Sequence, residues 1–267
     1  MSVTKTGVIK FALKYSEQIK DFYGRSGYVI VKKCIQLTQI KRIFNEIETI
    51  VNVEAKRHLA GKSQLHKPFD SSLTALFSLG KEYRSQLYQV FQSMMSLYEI
   101  GASEQLQTIA RILNVKCPNL RNVALRIDIP NEDKFLQPLH QDVRGMRSED
   151  AINFWIPLQA VGVENGTLSV YPGSHKLNAI QCGETNASGY QVIRESQIRG
   201  FRRTYCEIDA GDVLVFHPYM VHGSNRNRSQ SVRWTITVRY DDATAMAWMI
   251  TGQNPYRVLD IQQSLVG

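Results

Sequence analysis

Six short runs rich in β-branched and aromatic residues occupy the chain from about residue 120 to residue 240. Turn-forming residues separate them, as is typical of strands in an all-β sandwich or barrel. The runs are NVALRIDIP (122–130), AINFWIPL (151–158), TLSVYP (167–172), YQVIR (190–194), DVLVFHP (212–218) and RWTITVRY (233–240). Because they follow the predicted helices rather than alternate with them, they favour an α+β fold with helices packed outside the strands.

The part of the chain before these strands is predicted to be mainly helical. Over residues 37–59 apolar side chains recur every three or four positions, which puts them on one face of an amphipathic helix. Further helices are predicted over 71–98, with an interruption at Gly80, and after Ser103. A short strand is predicted at 27–32, ahead of the first of these helices.

The domain organisation follows from the absence of a proline- or serine-rich linker between the helical part and the strands. We therefore expect one domain over residues 1–267. Its parts would be a mainly helical segment at 1–115, a β core at 120–240 and a C-terminal extension at 241–267. No internal repeat or low-complexity tract argues against this division.

Composition excludes several protein classes. Apolar residues make up 43% and charged residues 21% of the sequence, as in ordinary globular proteins. No stretch approaches the roughly 20 apolar residues that span a bilayer, so no membrane association is expected. The N-terminal segment lacks the apolar core and cleavage site of a secretory signal. We therefore expect a cytoplasmic protein.

Cysteine spacing and net charge narrow the range of expected partners. The chain has four cysteines, Cys34, Cys117, Cys182 and Cys206, and no CxxC pair. We therefore expect reduced thiols rather than a zinc knuckle or a disulfide framework. The net charge is +8, but the basic residues are dispersed and no nucleic-acid-binding motif accompanies them. We expect no nucleic-acid partner, and an anionic small molecule is the alternative reason for the charge.

Two histidines and one aspartate in the β part form a candidate metal site. His140 and Asp142 are two residues apart, and because side chains of an extended segment alternate, both project to the same side. His222 follows the strand DVLVFHP at a turn. Two imidazoles and one carboxylate on one face of iron(II) leave three positions for a cosubstrate and dioxygen, whereas zinc usually prefers a closed tetrahedron. These ligands favour iron.

Arg233 adds a second feature to this site. It lies eleven residues beyond His222, on the next predicted strand. A guanidinium makes two charge-assisted hydrogen bonds to a carboxylate in a buried pocket. A 2-oxo acid that chelates iron through its C1 carboxylate and keto oxygen needs such an anchor for its distal carboxylate. Arg233 therefore turns a common His-x-Asp pattern into a candidate 2-oxoglutarate site.

Together these motifs resemble the phytanoyl-CoA dioxygenase-like family of iron(II)- and 2-oxoglutarate-dependent oxygenases. The resemblance rests on HQD (140–142), NGTLSVYPGSHK (165–176), GDVLVFHPYMVHGS (211–224) and Arg233. It covers residues 120–240 and extends more faintly to YGRSGYVIVKKC (23–34). The resemblance implies a double-stranded β-helix, or jelly roll, with the metal at one mouth.

The resemblance also implies roles for individual residues. His140, Asp142 and His222 would be the iron ligands, and Arg233 would anchor the distal carboxylate. Ser224 corresponds to a hydroxyl partner of that arginine, and the cosubstrate pocket would also be lined by Gln137 and Trp155. His217 is the competing histidine, but the HGS sequence at 222–224 favours His222.

A lid over the site is expected from the polar segment 143–150, which follows the first two ligands directly. Arg144 and Arg147 in this segment, and Arg126 on the preceding strand, are candidates to meet an anionic group of the substrate. Solvated loop charges are the alternative interpretation of the two lid arginines.

The reaction implied is the oxidation of an unactivated C–H bond of a small molecule in a biosynthetic pathway, with release of succinate and carbon dioxide. No catalytic residue beyond the metal ligands is expected, because iron(II), 2-oxoglutarate and dioxygen supply the chemistry. Related halogenases replace the ligand carboxylate with a small residue, so Asp142 favours hydroxylation. A jelly-roll metal-binding protein without turnover and an oxygenase acting on a macromolecule are the alternatives. The sequence leaves substrate and oligomeric state open.

Overall fold

The computed structural model of the protein describes residues 2–3, 7–59, 69–181, 185 and 192–245. The helices in these ranges are α1 (Ser16–Ser26), α2 (Leu37–His58), α3 (Phe69–Phe77), α4 (Lys81–Gln92), α5 (Met95–Gly101) and α6 (Glu104–Ile112). The strands are β1 (Ser2–Val3), β2 (Ile9–Ala12), β3 (Tyr28–Lys32), β4 (Pro118–Asp128), β5 (Ile152–Pro157), β6 (Ser169–Val170), β7 (Thr204–Tyr205), β8 (Val213–Phe216), β9 (His222–Gly223) and β10 (Arg233–Asp242).

Two sheets form the β core. The larger has the order β1-β2-β3-β8-β5-β10-β4, and its neighbouring strands are antiparallel except for the parallel pair β2–β3. The smaller is antiparallel with the order β7-β6-β9. Apolar side chains of both sheets, including Trp155 and Leu214 from the larger and Val170 from the smaller, share one buried cluster. The architecture is an α+β jelly roll, as the sequence predicts.

The alternation of side chains along β10 explains how the large sheet separates two environments. Trp234, Ile236, Val238 and Tyr240 belong to the main apolar core, which the helices cover. The Trp234 ring meets the Phe91 ring edge-on at a centroid distance of 6.3 Å. The intervening residues of β10 are mostly polar and face the other side, toward the small sheet. One face of the sheet is therefore structural, and the other is available for a site.

Strand β4 forms one edge of the large sheet, and α4 covers this edge. The Gln92 amide donates to the Leu125 carbonyl at 2.7 Å and accepts from the Leu125 N–H at 2.8 Å. The Tyr88 hydroxyl donates to the same carbonyl at 2.6 Å. These bonds satisfy backbone groups that an edge strand otherwise leaves to another chain.

Most predicted elements are confirmed, with one correction. Helix α2 matches the predicted 37–59, and the predicted 71–98 is divided into α3, α4 and α5, with the first break near Gly80. The strand predicted at 190–194 is wrong where it can be judged, because residues 192–194 are irregular, and 190–191 lie outside the described residues. The prediction of one domain over 1–267 stays a prediction. None of the described helices has the length and apolarity needed to cross a membrane.

Candidate metal centre

His140 and His222 lie opposite each other in a two-residue antiparallel bridge. The His140 N–H donates to the His222 carbonyl at 3.0 Å, and the His222 N–H donates to the His140 carbonyl at 3.1 Å. Residues paired in this way project their side chains to the same face, and the two ring centroids are 4.2 Å apart. The backbone therefore sets the separation of the two imidazoles.

Each imidazole is oriented by a backbone carbonyl two residues earlier in the chain. Nδ1 of His140 lies 2.8 Å from the Pro138 oxygen, and Nδ1 of His222 lies 2.9 Å from the Met220 oxygen. Because a carbonyl only accepts hydrogen bonds, Nδ1 carries the proton in both rings and Nε2 presents a lone pair. Backbone contacts of this kind commonly orient metal-binding histidines.

Asp142 completes a group of three donors. Its Oδ1 lies 3.5 Å from Nε2 of His140, and its Oδ2 lies 3.7 Å from Nε2 of His222. One donor atom from each residue lies within 4.8 Å of the others, and this is the group of potential metal ligands found among the described residues. The Asp142 N–H donates to the Pro218 carbonyl at 3.0 Å, which ties the aspartate to the turn before His222.

The protonation states suit metal binding. Burial alone would raise the pKa of Asp142, but the Arg239 guanidinium, 2.7 Å from Oδ1, and the two imidazoles hold it well below its usual range. Burial, together with the nearby His140 ring, lowers the pKa of His222 to about 3. The site therefore holds an ionised carboxylate and a neutral His222 imidazole near neutral pH, the forms that ligate a metal.

A divalent cation fits these residues. Nε2 of His140 is buried and has no hydrogen-bond partner among the described residues, a costly situation unless something binds there. Two imidazoles and a single carboxylate, with no thiolate, form the set that non-haem iron(II) uses when other positions stay open. The donors, their orientation and the orphaned nitrogen all agree with the iron site predicted from sequence.

A cavity of about 180 Å³ extends from Asp142 and His222 to Arg233. The Arg233 side chain is only 3% exposed, and its Nη2 lies 2.7 Å from Oδ2 of Asp128. Its Nε and Nη1 are buried without a partner among the described residues. This end of the cavity can therefore accept an anion, because an unmatched buried N–H of a guanidinium is expensive.

The other residues singled out from the sequence fall into two groups. Those that line the cavity are Gln137, Trp155, Ser224 and Arg126. The Trp155 ring centroid lies 5.7 Å from the Arg233 guanidinium carbon, and the Ser224 N–H donates to the Gln137 carbonyl at 3.0 Å. Arg144 and Arg147 are not among the lining residues.

The segment that carries these two arginines is tied to the far end of β10. The Arg147 N–H donates to Oδ1 of Asp241 at 2.8 Å, and the Asp242 N–H donates to the Ser148 hydroxyl oxygen at 3.2 Å. Residues 143–145 form a turn of 3₁₀ helix directly after Asp142. The predicted lid segment is therefore anchored to β10 beside the site, and its closure over the opening stays a prediction.

His217 lies away from the metal ligands. Its Nδ1 accepts a hydrogen bond from the Tyr219 N–H at 3.1 Å, and its ring centroid is 5.5 Å from that of His175. Burial lowers the pKa of His217 to about 4. It lines a different pocket, beside Tyr23 and Glu149. Of the two histidines in this stretch, the geometry brings only His222 to Asp142.

Two charged residues at the site were missed in the sequence. Asp128 stands directly opposite Arg233 in the β4–β10 register, and Arg239 lies further along β10 in contact with Asp142. The signal that could have found them is the period of two along the strands. On β10 it gives Arg233, Thr235, Thr237 and Arg239, and on β4 it gives Asn122, Ala124, Arg126 and Asp128, all of which line the cavity.

Comparison with known proteins agrees with this geometry. The sequence profile of the phytanoyl-CoA dioxygenase (PhyH) family matches residues 23–235. Peroxisomal phytanoyl-CoA dioxygenase from Bos taurus is 23% identical over 238 residues, which cover 84% of this chain and 68% of that protein. L-proline trans-4-hydroxylase from Streptomyces griseoviridis is 28% identical over 132 residues, covering 40% and 48%.

Solved structures share the fold. The epimerase SnoN in complex with Fe³⁺, alpha ketoglutarate and nogalamycin RO superposes with a TM-score of 0.58 at 20% identity, covering 87% of this chain and 85% of that one. EctD from S. alaskensis with 2-oxoglutarate and 5-hydroxyectoine gives a TM-score of 0.61 at 16% identity, covering 88% and 78%. With the profile match spanning most of the chain, the protein belongs to the phytanoyl-CoA dioxygenase (PhyH) family of iron(II)- and 2-oxoglutarate-dependent oxygenases.

Proposed function

We propose that this oxygenase binds iron(II) through His140, Asp142 and His222, anchors 2-oxoglutarate on Arg233, and hydroxylates a C–H bond of a small molecule. The observation that carries the proposal is the arrangement of one cavity. Its one end presents Asp142 and His222, and its other end presents a buried guanidinium with two unmatched nitrogens. A short dicarboxylate that reaches the metal at one end and Arg233 at the other would explain why one cavity holds both the candidate ligands and a buried guanidinium.

The bound metal, with 2-oxoglutarate and dioxygen, supplies the oxidising chemistry, and the cosubstrate leaves as succinate and carbon dioxide. The residues of the chain bind and orient. His140 and His222 keep their protons on Nδ1, so Nε2 of each stays available to the metal. No side chain in the cavity needs to act as a general base, because the metal and cosubstrate supply the chemistry.

Arg233 would bind the distal carboxylate of the cosubstrate with Nε and Nη1, while Asp128 holds Nη2. Trp155 lies beside the guanidinium and would exclude water from that contact. We also assign Ser224 and Gln137 to the cosubstrate pocket, because both line the cavity and the Ser224 N–H donates to the Gln137 carbonyl.

The substrate would enter along β4. Asn122 on this strand is exposed and Ala124 and Arg126 are partly exposed, whereas His222 and Arg233 at the base of the cavity are each 3% exposed. Arg126 would thus offer a partly exposed positive charge to an anionic group of the substrate. Arg144 and Arg147 would act only if the segment 143–150 folds over the opening.

Hydroxylation is favoured over halogenation because the carboxylate of Asp142 is present at the ligand position. A halogenating site needs that place for the halide. We also propose a cytoplasmic, biosynthetic role with a small molecule as substrate. The structures of SnoN and EctD contain nogalamycin RO and 5-hydroxyectoine respectively, and these are small molecules.

The test is iron-dependent turnover of 2-oxoglutarate. Purified, metal-free protein is supplied with iron(II), 2-oxoglutarate and air, and succinate is measured with and without a panel of small-molecule candidates. We expect succinate only when iron(II) is present, and more of it with a true substrate. Absence of succinate under every condition, together with normal metal binding, would favour a metal-binding protein without turnover. Stimulation by an oligonucleotide or peptide alone would favour a macromolecular substrate.

A further inference from the structure

Arg239 contacts the carboxylate of the candidate ligand Asp142 without being a ligand itself. Its Nη2 donates to Oδ1 of Asp142 at 2.7 Å, and its side chain is 30% exposed where it lines the cavity. The Asp142 side chain is 8% exposed, so the carboxylate end of this ion pair is shielded from water. A charge-assisted bond in such surroundings fixes the orientation of a carboxylate.

The orientation matters because the two oxygens of Asp142 are then unequal. Oδ1 accepts a hydrogen bond from the guanidinium at 2.7 Å and also lies 3.5 Å from Nε2 of His140, whereas Oδ2 lies outside that contact, 3.7 Å from Nε2 of His222. An unrestrained carboxylate can bind a cation through one oxygen or through both. Chelation through both would consume one of the three positions that two imidazoles and a carboxylate otherwise leave open.

The turn that follows Asp142 is held against β4 and Arg239. Between Arg239 and Tyr240 the register with β4 shifts by one residue, since Arg239 pairs with Asn122 but Tyr240 pairs with Leu120, whereas β10 keeps a regular register with β5. The extra residue of this bulge is therefore Arg121 on β4, and its Nε donates to the Gly145 carbonyl, in the turn after Asp142, at 3.3 Å. Gly145 also packs against the Arg239 guanidinium: a Cβ built there would lie 3.6 Å from Nη1 of Arg239.

We propose that Arg239 is a positioning residue that restricts Asp142 to one-oxygen ligation, and so keeps a coordination position free for 2-oxoglutarate. The inference rests on the proposed function, because it presumes that Asp142 binds the metal. It predicts unequal effects on the affinities for 2-oxoglutarate and for the metal. Loss of Arg239 should weaken the binding of 2-oxoglutarate to the metal-loaded protein far more than it weakens the binding of the metal.

The experiment uses cobalt(II) in place of iron(II), so that oxygen does not consume the complex. Calorimetry measures the affinity of metal-free protein for cobalt(II), and then that of the cobalt-loaded protein for 2-oxoglutarate. The variants are Arg239→Met, which keeps an unbranched chain of similar length but removes charge and donors, and Arg239→Lys, which restores one charged donor. Arg84→Met is the matched control, because it removes a guanidinium that is likewise paired with a carboxylate, that of Glu132, and similarly shielded at 20% exposure, but that does not line the cavity.

For Arg239→Met we expect cobalt(II) affinity within about threefold of the unmodified protein, and 2-oxoglutarate affinity lower by about tenfold or more. Arg239→Lys should recover part of the loss, and Arg84→Met should show less than about a threefold change in both affinities. Equal losses in Arg239→Met and Arg84→Met would overturn the proposal in favour of a general effect of charge.

Three further results would separate a role of Arg239 in metal binding, a failure of the whole site and a failure of the inference alone. Suppose that Arg239→Met and Arg239→Lys both lose cobalt(II) binding and 2-oxoglutarate binding together, and that Arg239→Lys unfolds at a normal temperature. Arg239 then supports metal binding itself, and the inference is wrong. If the unmodified protein binds neither cobalt(II) nor 2-oxoglutarate, the proposed function fails instead. Normal binding by the unmodified protein and by Arg239→Met leaves the proposed function intact and rejects only the inference.

Discussion

His140 and His222 exchange both backbone hydrogen bonds across a two-residue bridge, and their rings lie 4.2 Å apart at the centroids. The bridge joins the irregular segment before Asp142 to β9, which is itself paired with β6 of the small sheet. The two imidazoles are therefore held by the β core rather than by flexible loops. A site held in this way can keep its geometry before any metal binds.

Replacing either histidine should abolish iron-dependent succinate formation. His222→Ala removes a donor that is 3% exposed and leaves two ligands, too few to hold iron(II) in place. The check is succinate production over a range of iron(II) concentrations. His217→Ala is the matched control, because His217 lies in the same stretch of chain but in another pocket. Inactivity of His217→Ala with normal turnover by His222→Ala would refute the ligand assignment.

Arg233→Ala should chiefly raise the requirement for 2-oxoglutarate. Removal of a buried guanidinium loses hydrogen bonds to a charged partner worth about 2–3 kcal/mol, which corresponds to roughly 30- to 150-fold in apparent affinity. Steady-state kinetics at varied 2-oxoglutarate concentration measure this change in apparent affinity. Arg233→Lys keeps the charge but loses the planar, two-donor geometry of the guanidinium. Its 2-oxoglutarate requirement should therefore lie between those of the unmodified protein and Arg233→Ala. An unchanged 2-oxoglutarate requirement in Arg233→Ala would show that the anchor lies elsewhere.

Gly166 should be intolerant of a side chain, unlike Gly200. Both have positive φ, +81° and +92°, so alanine strains each backbone by about 1 kcal/mol. At Gly166 an added Cβ would also lie 2.5 Å from the Asn225 carbonyl oxygen, whereas at Gly200 it meets nothing within 4 Å. Urea unfolding should therefore show a loss at least about 2 kcal/mol larger for Gly166→Ala. Equal losses would contradict the close packing of the turn beside Ser224.

Acidification should destabilise the metal-free protein in part through His217. Its pKa is about 4 in the folded chain, below the ordinary 6.5, because burial disfavours the charged ring. Between these values the unfolded chain binds a proton that the folded chain does not, so stability falls as pH drops from about 6.5 to about 4. His217→Gln should lose less stability across that window, measured by urea unfolding at several pH values. A parallel pH profile in the variant would show that His217 does not contribute.

The sequence predicted the outline of the fold because its signals are local. The helical period of 37–59 and the alternation in 233–240 depend only on neighbouring residues. The small sheet was harder. The run at 167–172 predicts a full strand, but β6 spans only Ser169–Val170, because its partners β7 and β9 are themselves two residues long. Strand length there is set by tertiary pairing and not by propensity.

The candidate site was predictable only in part for the same reason. The resemblance pointed to Arg233 and the three candidate ligands, and the spacing of His140 and Asp142 agreed with a shared face. The roles of Asp128 and Arg239 depend on tertiary structure, because the β4–β10 register sets Asp128 opposite Arg233 and the segment at Asp142 brings its carboxylate to Arg239. Nothing in the letters around either residue specifies that register.

The central claim is that His140, Asp142 and His222 bind iron(II) while Arg233 holds 2-oxoglutarate in the same cavity. An anaerobic titration tests it most directly: metal-free protein receives iron(II) and then 2-oxoglutarate, and the visible charge-transfer band of a chelated 2-oxo acid is recorded. We predict a band that saturates at one equivalent of iron(II) and is absent in His222→Ala. No band in the unmodified protein, or an undiminished band in His222→Ala, would contradict the claim.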